Sequence, residues 1–288
     1  MTALKAEIKA LYVYPVKSLS GIAVDSAMLT ASGLQYDRQW AIFREDGFPL
    51  TQRKEAAMAR IQATITGFGL SLSVPSEPSL GHIDVSAPDA EIACEPFNVW
   101  KDICVGQVAS GDVNNWLCEA LKSSQKLKLA RTHPGALRQF DCPERFKMTG
   151  QSFSDAAPYL IANRASLDAL NVRLKKEGQN TVNMLNFRPN IVISGPPAFS
   201  EHAISRMSCK SDEIELSLVD HCQRCIMITV NPDKGEFQDS PSLIKALAKL
   251  NSMPHSAKAP AFGVNSTLTR GDSRTIQVGQ TYLYNTLP

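Results

Sequence analysis

The sequence predicts an α+β fold that is mainly β, with a barrel-like architecture. Three observations carry this reading. Short runs of strand composition recur along the chain, turn residues separate them, and only three segments show helical spacing. Strands alternating regularly with helices, the mark of a doubly wound sheet, are absent from the pattern.

The elements follow in order. "IKALYVYPV" has strand composition until Pro15 stops it. "RQWAIFREDGFPLTQR" predicts two strands around a turn at Asp46-Gly47, and "ARIQATITGFGLSLSV" predicts a second pair with alternating apolar residues. "EIACEPFNVWKDICVGQVAS" adds two more. In "GDVNNWLCEALKSS" the residues Val113, Trp116, Leu117, Ala120 and Leu121 recur at helical spacing. The polar segment from Ala130 to Ser154, with Pro134 and Pro143, reads as a connection. A second helix, "ASLDALNVRLKKEG", stops at Gly178. Strands resume at "NFRPNIVISG", "EIELSLVD" and "CIMITV". A late helix, "PSLIKALAKLN", precedes a last strand, "RTIQVGQTYLYN".

Bulk properties exclude several classes of function. The 288 residues suffice for one large or two moderate domains, and 43% hydrophobic residues can form a core. Thirty basic against 28 acidic residues leave a charge of +2, so neither nucleic acid nor an anionic membrane is indicated as a partner. No apolar run reaches the ~20 residues of a membrane helix. The N-terminus has no secretory pattern, which places the expected location in the cytoplasm.

Seven cysteines, an odd number without framework spacing, read as reduced thiols. Only Cys222 and Cys225 stand close together, as C-x-x-C after His221. Three readings are open: half of a zinc site, a redox dithiol, or one thiolate reserved for another metal. A structural zinc site needs about four ligands, and no second C-x-x-C supplies them. A dithiol oxidoreductase places the pair at a helix start, whereas here it runs into strand-like "IMITV".

Other candidates are polar residues at strand ends. Lys17 and Ser18 in "YPVKSLSG" offer an ammonium and a hydroxyl to an anion such as phosphate; the bland alternative is a solvated loop. Arg38 in "YDRQWAIF" suits a planar oxyanion, or equally an ion pair with Asp37 or Glu45. Arg53 in "TQRKE" reads as a surface residue. Arg188 and Asn190 flank Pro189 at the entrance of a strand, with Arg188 biased toward an extended conformation by the proline; a simple turn is the alternative. Ser154 and Asp155 fit either a helix cap or a ligand-facing turn. The familiar nucleophile, phosphate-loop, dinucleotide and zinc-protease motifs are missing.

Read together, "YPVKSLSG", "GLQYDRQWAIF", "TQRK", "FSDAAPYLIA", "NFRPNIVISG", "CQRCIMITVNPDKGE", "FGVN" and "VGQ" resemble, in order, the MOSC-domain proteins that carry a MOSC N-terminal β-barrel region. Among these the chain is most similar to the amidoxime-reducing group and its bacterial relatives. The resemblance implies a MOSC N-terminal β-barrel region over residues 1–125 and a β-barrel MOSC core over 126–288, with a few peripheral helices. It implies a molybdenum cofactor, a pyranopterin carrying the metal, with Cys225 as the metal ligand and catalytic residue. Lys17, Ser18, Arg38, Asp155, Arg188, Asn190, Arg224 and Asn265 match positions around that cofactor, and Cys222 matches a cysteine that is not a ligand. Ala156 and Ala157 depart from the hydroxyl or glycine that relatives often carry.

The implied activity is reduction of N-hydroxylated compounds: hydroxylamines, amidoximes or N-hydroxylated bases. The chain shows neither the ferredoxin domain nor the desulfurase domain of some relatives, so its electrons are expected from external proteins of the ferredoxin or flavin-reductase type. The competing expectation is a carrier of sulfur or of the cofactor itself, using a persulfide on Cys225.

Overall fold

The structure is a computed structural model that describes residues 4–87, 94–99, 102–133, 146, 152–238 and 240–287. Its first strand, β1 (Lys5–Val13), buries Ala6 and Ile8 and then Leu11 and Val13. The alternation changes phase at an irregularity in register between Ile8 and Ala10. The extra residue keeps both ends of the strand facing the same core.

After β1 the chain crosses into a separate group of strands. β2 (Trp40–Arg44) is followed by the meander β3 (Gln62–Thr66), β4 (Gly69–Ser73) and β5 (His82–Ser86), and then by β6 (Cys94–Val99) and β7 (Asp102–Val108). Helix α1 (Gly111–Ala120) leads into β8 (Leu127–Thr132). The sheet order is β2-β8-β7-β6, with β3-β4-β5 as a second sheet. Between them lies a core containing Trp40, Ile42 and Leu72, onto which α1 places Val113, Trp116 and Leu117. The Ser110 hydroxyl caps α1 by accepting from Val113 N–H, which accounts for its start.

The second half supplies β9 (Tyr159–Asn163), α2 (Arg164–Lys176), β10 (Ile191–Ser194), β11 (Ile204–Cys209), β12 (Ile214–Gln223), α3 (Ser240–Leu250), β13 (Ser256–Arg270) and β14 (Thr281–Thr286). Seven strands in the order β9-β10-β1-β14-β11-β12-β13 form a ring, closed because β13 also pairs with β9. Closure depends on position 263. A Cβ there would lie 2.8 Å from the Ile161 carbonyl oxygen, so only glycine lets β13 approach β9 this closely. The interior holds Ile8, Leu11, Ile161, Ile193, Leu216 and Tyr282. Helices α2 and α3 cover the outside through Leu167, Leu170, Leu243 and Leu247.

The mainly β, barrel-rich α+β class is therefore the architecture observed, with details that differ from the sequence reading. β9 and β10 are parallel and joined through α2, so one βαβ crossover does occur. Chain order and sheet membership also differ: β1 completes the barrel of the second half, while β8 belongs to the sheet of the first. The turn at Asp46-Gly47 forms, but its return arm pairs with β2 only through a bridge between Phe43 and Pro49. The expected connection from Ala130 to Ser154 begins as strand through Thr132 and lies largely outside the described residues. The last strand is two, Thr275–Gln277 and β14, because Val278 and Gly279 turn to donate to the carbonyls of Asp25 and Ile8.

"CIMITV" is not a strand. Ile226–Thr229 form a 3-10 turn that begins after Cys225. The physical reason is a tertiary grip. The Asn186 amide donates to the carbonyls of Ile228 and Val230, both at 2.9 Å, and the Thr229 hydroxyl closes the turn onto Ile226. The β propensity of Ile and Val yields to these bonds.

Candidate functional site at the seam of the two barrel regions

Where β1 ends, residues Tyr14 to Ser18 carry the chain from the barrel to the first-half sheet, and Lys17 N–H donates to the Trp40 carbonyl at 2.7 Å. The loop before β9, the entrance of β10 and the end of β12 meet the same seam. They enclose a cavity of about 190 Å³ lined by all nine residues singled out from the sequence: Lys17, Ser18, Arg38, Asp155, Arg188, Asn190, Arg224, Cys225 and Asn265. A neighbouring cavity of about 400 Å³ shares Arg188 and Met227 with it.

The backbone is unusual here. Ser18, Arg38 and Arg188 have φ of +66°, +49° and +55°. Left-handed geometry at non-glycine residues costs about 1 kcal/mol or more each, and concentrates where side chains must be aimed. For Arg188 this overturns the expected extended conformation. Its N–H donates back to Leu185 O at 3.2 Å, ending a short 3-10 turn, and the chain reverses into Pro189. The reversal turns its side chain onto Tyr14.

Tyr14 organises the cationic wall. The guanidinium of Arg38 lies 4.6 Å from its ring centre and that of Arg188 lies 4.3 Å from it. Arg188 Nη1 donates to Leu19 O at 2.7 Å. Arg38 makes an ion pair with the buried Asp37 and also donates to Asn190 Oδ1 and Arg188 O, each at 3.2 Å. Arg38 is thus paired with Asp37, and it also lines the cavity. Burial works against its charge, but Asp37 and Tyr14 outweigh burial and raise its pKa. Burial lowers Arg188 to about 10, with Tyr14 opposing and Arg38 adding to the shift.

Lys17, almost wholly buried, donates to Phe153 O at 2.8 Å and is paired with the Asp155 carboxylate. Arg53 Nη2 reaches the other oxygen of Asp155 at 3.3 Å. Burial would raise the Asp155 carboxyl; Lys17 and Arg53 overcome it and hold the group well below the usual carboxylate range. The Asn190 side chain is spent within the framework. Besides Arg38, its oxygen accepts from Leu160 N–H at 3.2 Å and its amide donates to Tyr12 O at 3.3 Å. Asn265 donates to Asp220 at 2.8 Å.

The two cysteines have different neighbours. Cys222, still on β12, accepts from Arg224 Nη1 at 3.0 Å, while Arg224 Nη2 donates to Phe187 O at 2.8 Å. Cys225 stands beyond the strand end, and its Sγ accepts from Arg53 Nε at 3.3 Å. Arg53 is the residue that sequence reading missed. It sits 172 positions from Cys225, and a loop arginine after a turn carries no periodicity to mark it. His221, also on β12, points to His202, their rings 4.0 Å apart. Among the described residues no cluster of three metal-ligating side chains occurs.

Five cations and one carboxylate line the cavity. Arg188 Nη2 and Arg224 Nε are buried donors with no partner among the described residues. Each such donor costs about 1–3 kcal/mol unless a bound group supplies an acceptor. A thiol beside such donors suits a soft metal carried by an anionic, acceptor-rich ligand.

Residues 5–124 match the family model for the MOSC N-terminal beta barrel domain, and residues 149–282 match that for the MOSC domain. The chain belongs to the MOSC-domain family. Within this family it is similar to mitochondrial amidoxime-reducing component 1 of Homo sapiens, with 31% identity over 280 residues, covering 93% of this chain and 80% of that protein. It is 34% identical to the Mus musculus protein of the same name over 233 residues, covering 78% of this chain and 66% of that protein. A molybdenum cofactor sulfurase of Drosophila grimshawi is 30% identical over 258 residues, covering 86% of this chain and 31% of that much longer protein. Among the described residues of this MOSC protein, no helix is long and apolar enough to cross a membrane.

Proposed function

We propose that this MOSC protein is a molybdenum-cofactor-dependent reductase of N-hydroxylated compounds, supplied with electrons by separate proteins of the ferredoxin or flavin-reductase type. The observation that carries the reading is the Cys225 thiol set in the wall of a cavity lined by five cationic side chains. Family membership and the amidoxime-reducing relatives support the same chemistry.

The residues fit the cofactor. Cys225 would ligate the metal as its thiolate. Lys17, Ser18, Arg38, Arg188 and Arg224 would donate to the phosphate and the polar pterin, and the open donors on Arg188 and Arg224 would gain acceptors. When bound, the cofactor supplies the two-electron reduction chemistry. The chain's own residues orient the reactants. Asp155, the single carboxylate among the lining residues, stays ionised because Lys17 and Arg53 flank it. It therefore serves as an acceptor for a substrate N–H or O–H and does not deliver a proton. Asn190 acts indirectly, by fixing Arg38.

The test is elemental analysis of protein made in a cofactor-competent host, beside Cys225→Ala, with an amidoxime reduction assay. Stoichiometric molybdenum and activity in the wild type, both lost in the variant, is the expected result. Equal molybdenum in the two proteins would sink the ligand assignment. A second reading, a sulfur or cofactor carrier, is favoured by the similarity to a sulfurase over most of the chain. A persulfide on Cys225 by mass spectrometry, in protein without reductase activity, would select it.

A further inference from the structure

Arg53 lies in the segment that follows β2 and its turn, on the first-half side of the seam. Two of its partners lie in the second half of the chain: Cys225 Sγ, 3.3 Å from Nε, and Asp155 Oδ2, 3.3 Å from Nη2. Nε and Nη2 share one edge of the planar guanidinium. The two contacts therefore fix the direction of the sulfur relative to the carboxylate, as a lysine's single ammonium does not. Lys17 fastens the other oxygen of Asp155, so Arg53 is the last link in a chain from the buried framework to the sulfur. The side chain is 30% exposed, so it is set in the wall of the cavity and not free on the surface.

We infer that Arg53 is a positioning residue for Cys225: it orients the sulfur toward the cavity and toward Asp155, and tunes the sulfur as a donor through an N–H bond. This rests on the reading of Cys225 as the metal-holding thiolate. A hydrogen bond to a coordinating sulfur withdraws electron density from it, and such outer bonds alter metal sites and their potentials. No other side-chain donor to this sulfur is seen among the described residues, so losing Arg53 removes the bond outright.

Two measurements test it. In metal-free full-length protein at pH 7.5, alkylation of Cys225 and Cys222 by iodoacetamide is followed by peptide mass spectrometry. Arg53→Gln is expected to slow Cys225 about fivefold, since the sulfur loses the bond that aims it into the cavity. Arg53→Lys, whose single ammonium cannot hold the sulfur and Asp155 together in this way, is expected to slow Cys225 by more than about twofold, and Cys222 is expected to be unchanged in both. A Cys225 rate in Arg53→Gln within about twofold of wild type overturns the inference, as does equal slowing of Cys222, which would report a general disturbance. In cofactor-loaded protein, Arg53→Gln is expected to keep its molybdenum content while its Mo(V) paramagnetic resonance spectrum shifts. An unchanged spectrum at full loading overturns the tuning role. If instead the wild type takes up no molybdenum, the proposed function fails, and the alkylation result still decides whether Arg53 positions Cys225.

Discussion

Arg38 Nη1 donates to Asn190 Oδ1 at 3.2 Å, across 152 positions of sequence. The bond joins the loop before β2 to the entrance of β10, and so ties the first-half sheet to the closed barrel at the place where the cavity opens. Both residues are also held from behind, Arg38 by Asp37 and Asn190 by Leu160 and Tyr12.

Asn190→Ala should be costly for its size. It leaves the Leu160 N–H and one Arg38 donor without their acceptor in a buried place. A loss of about 2–3 kcal/mol is expected by urea unfolding. Asn190→Asp keeps an acceptor for both donors and gives up only the longer bond to Tyr12 O at 3.3 Å, so it should lose less. Equal losses would mean that the acceptor is not the important half of the side chain.

Gly21 faces the ring on which Arg38 and Arg188 stack. A Cβ at position 21 would lie 2.4 Å from Tyr14 Cε1, too close without displacing the ring. Gly21→Ala is expected to destabilise the protein by about 1–3 kcal/mol and to reduce molybdenum retention, because the cationic wall moves with Tyr14. Thermal unfolding and metal analysis report the two effects separately.

Asp155 carries a defined pH dependence. Its folded pKa is depressed, so its contribution is present above the unfolded value of about 3.9 and is lost as pH falls toward the folded value. With 39% of its side chain exposed, the contribution is screened to about 1 kcal/mol or less. The stability gap between wild type and Asp155→Asn should hold steady from pH 5 to about 8 and shrink below about 4, as measured by urea midpoints.

His202 behaves in the opposite charge sense. Burial, reinforced by His221, lowers its imidazole to about 3, and its Nδ1 accepts from the Asn251 amide at 3.1 Å. The folded state therefore holds it neutral where the unfolded chain takes up a proton below about pH 6.5. Stability should fall as pH drops from about 6.5 toward 3, by up to ~1.4 kcal/mol per unit. His202→Gln should lack that part of the slope.

Much of the fold is legible in the residues. The alternation in "ARIQATITGFGLSLSV" is the hairpin β3-β4, and the helical spacing of Val113, Trp116 and Leu117 is α1. The reading fails where a local preference meets a tertiary hold. "IMIT" has strand composition, yet Asn186 bends it into a turn, and that turn puts Cys225 beyond the end of β12. Arg188 is biased to extension by Pro189, yet it adopts a left-handed conformation in which Leu19 and Tyr14 receive its side chain.

By itself the sequence determined the mainly β class, most strand and helix positions, and the set of polar and sulfur-bearing residues available at strand ends. These follow from periodicity, turn chemistry and motif order, all of which act over a few residues. Tertiary structure alone decided that β1 belongs with β10 and β14, that Asn190 is spent on the framework, and that Arg53 reaches Cys225. Those relations join residues more than a hundred positions apart or depend on which hydrogen-bond partner a buried group finds. No local preference encodes them; they appear only when the barrel closes and the seam brings its two sides within bonding distance.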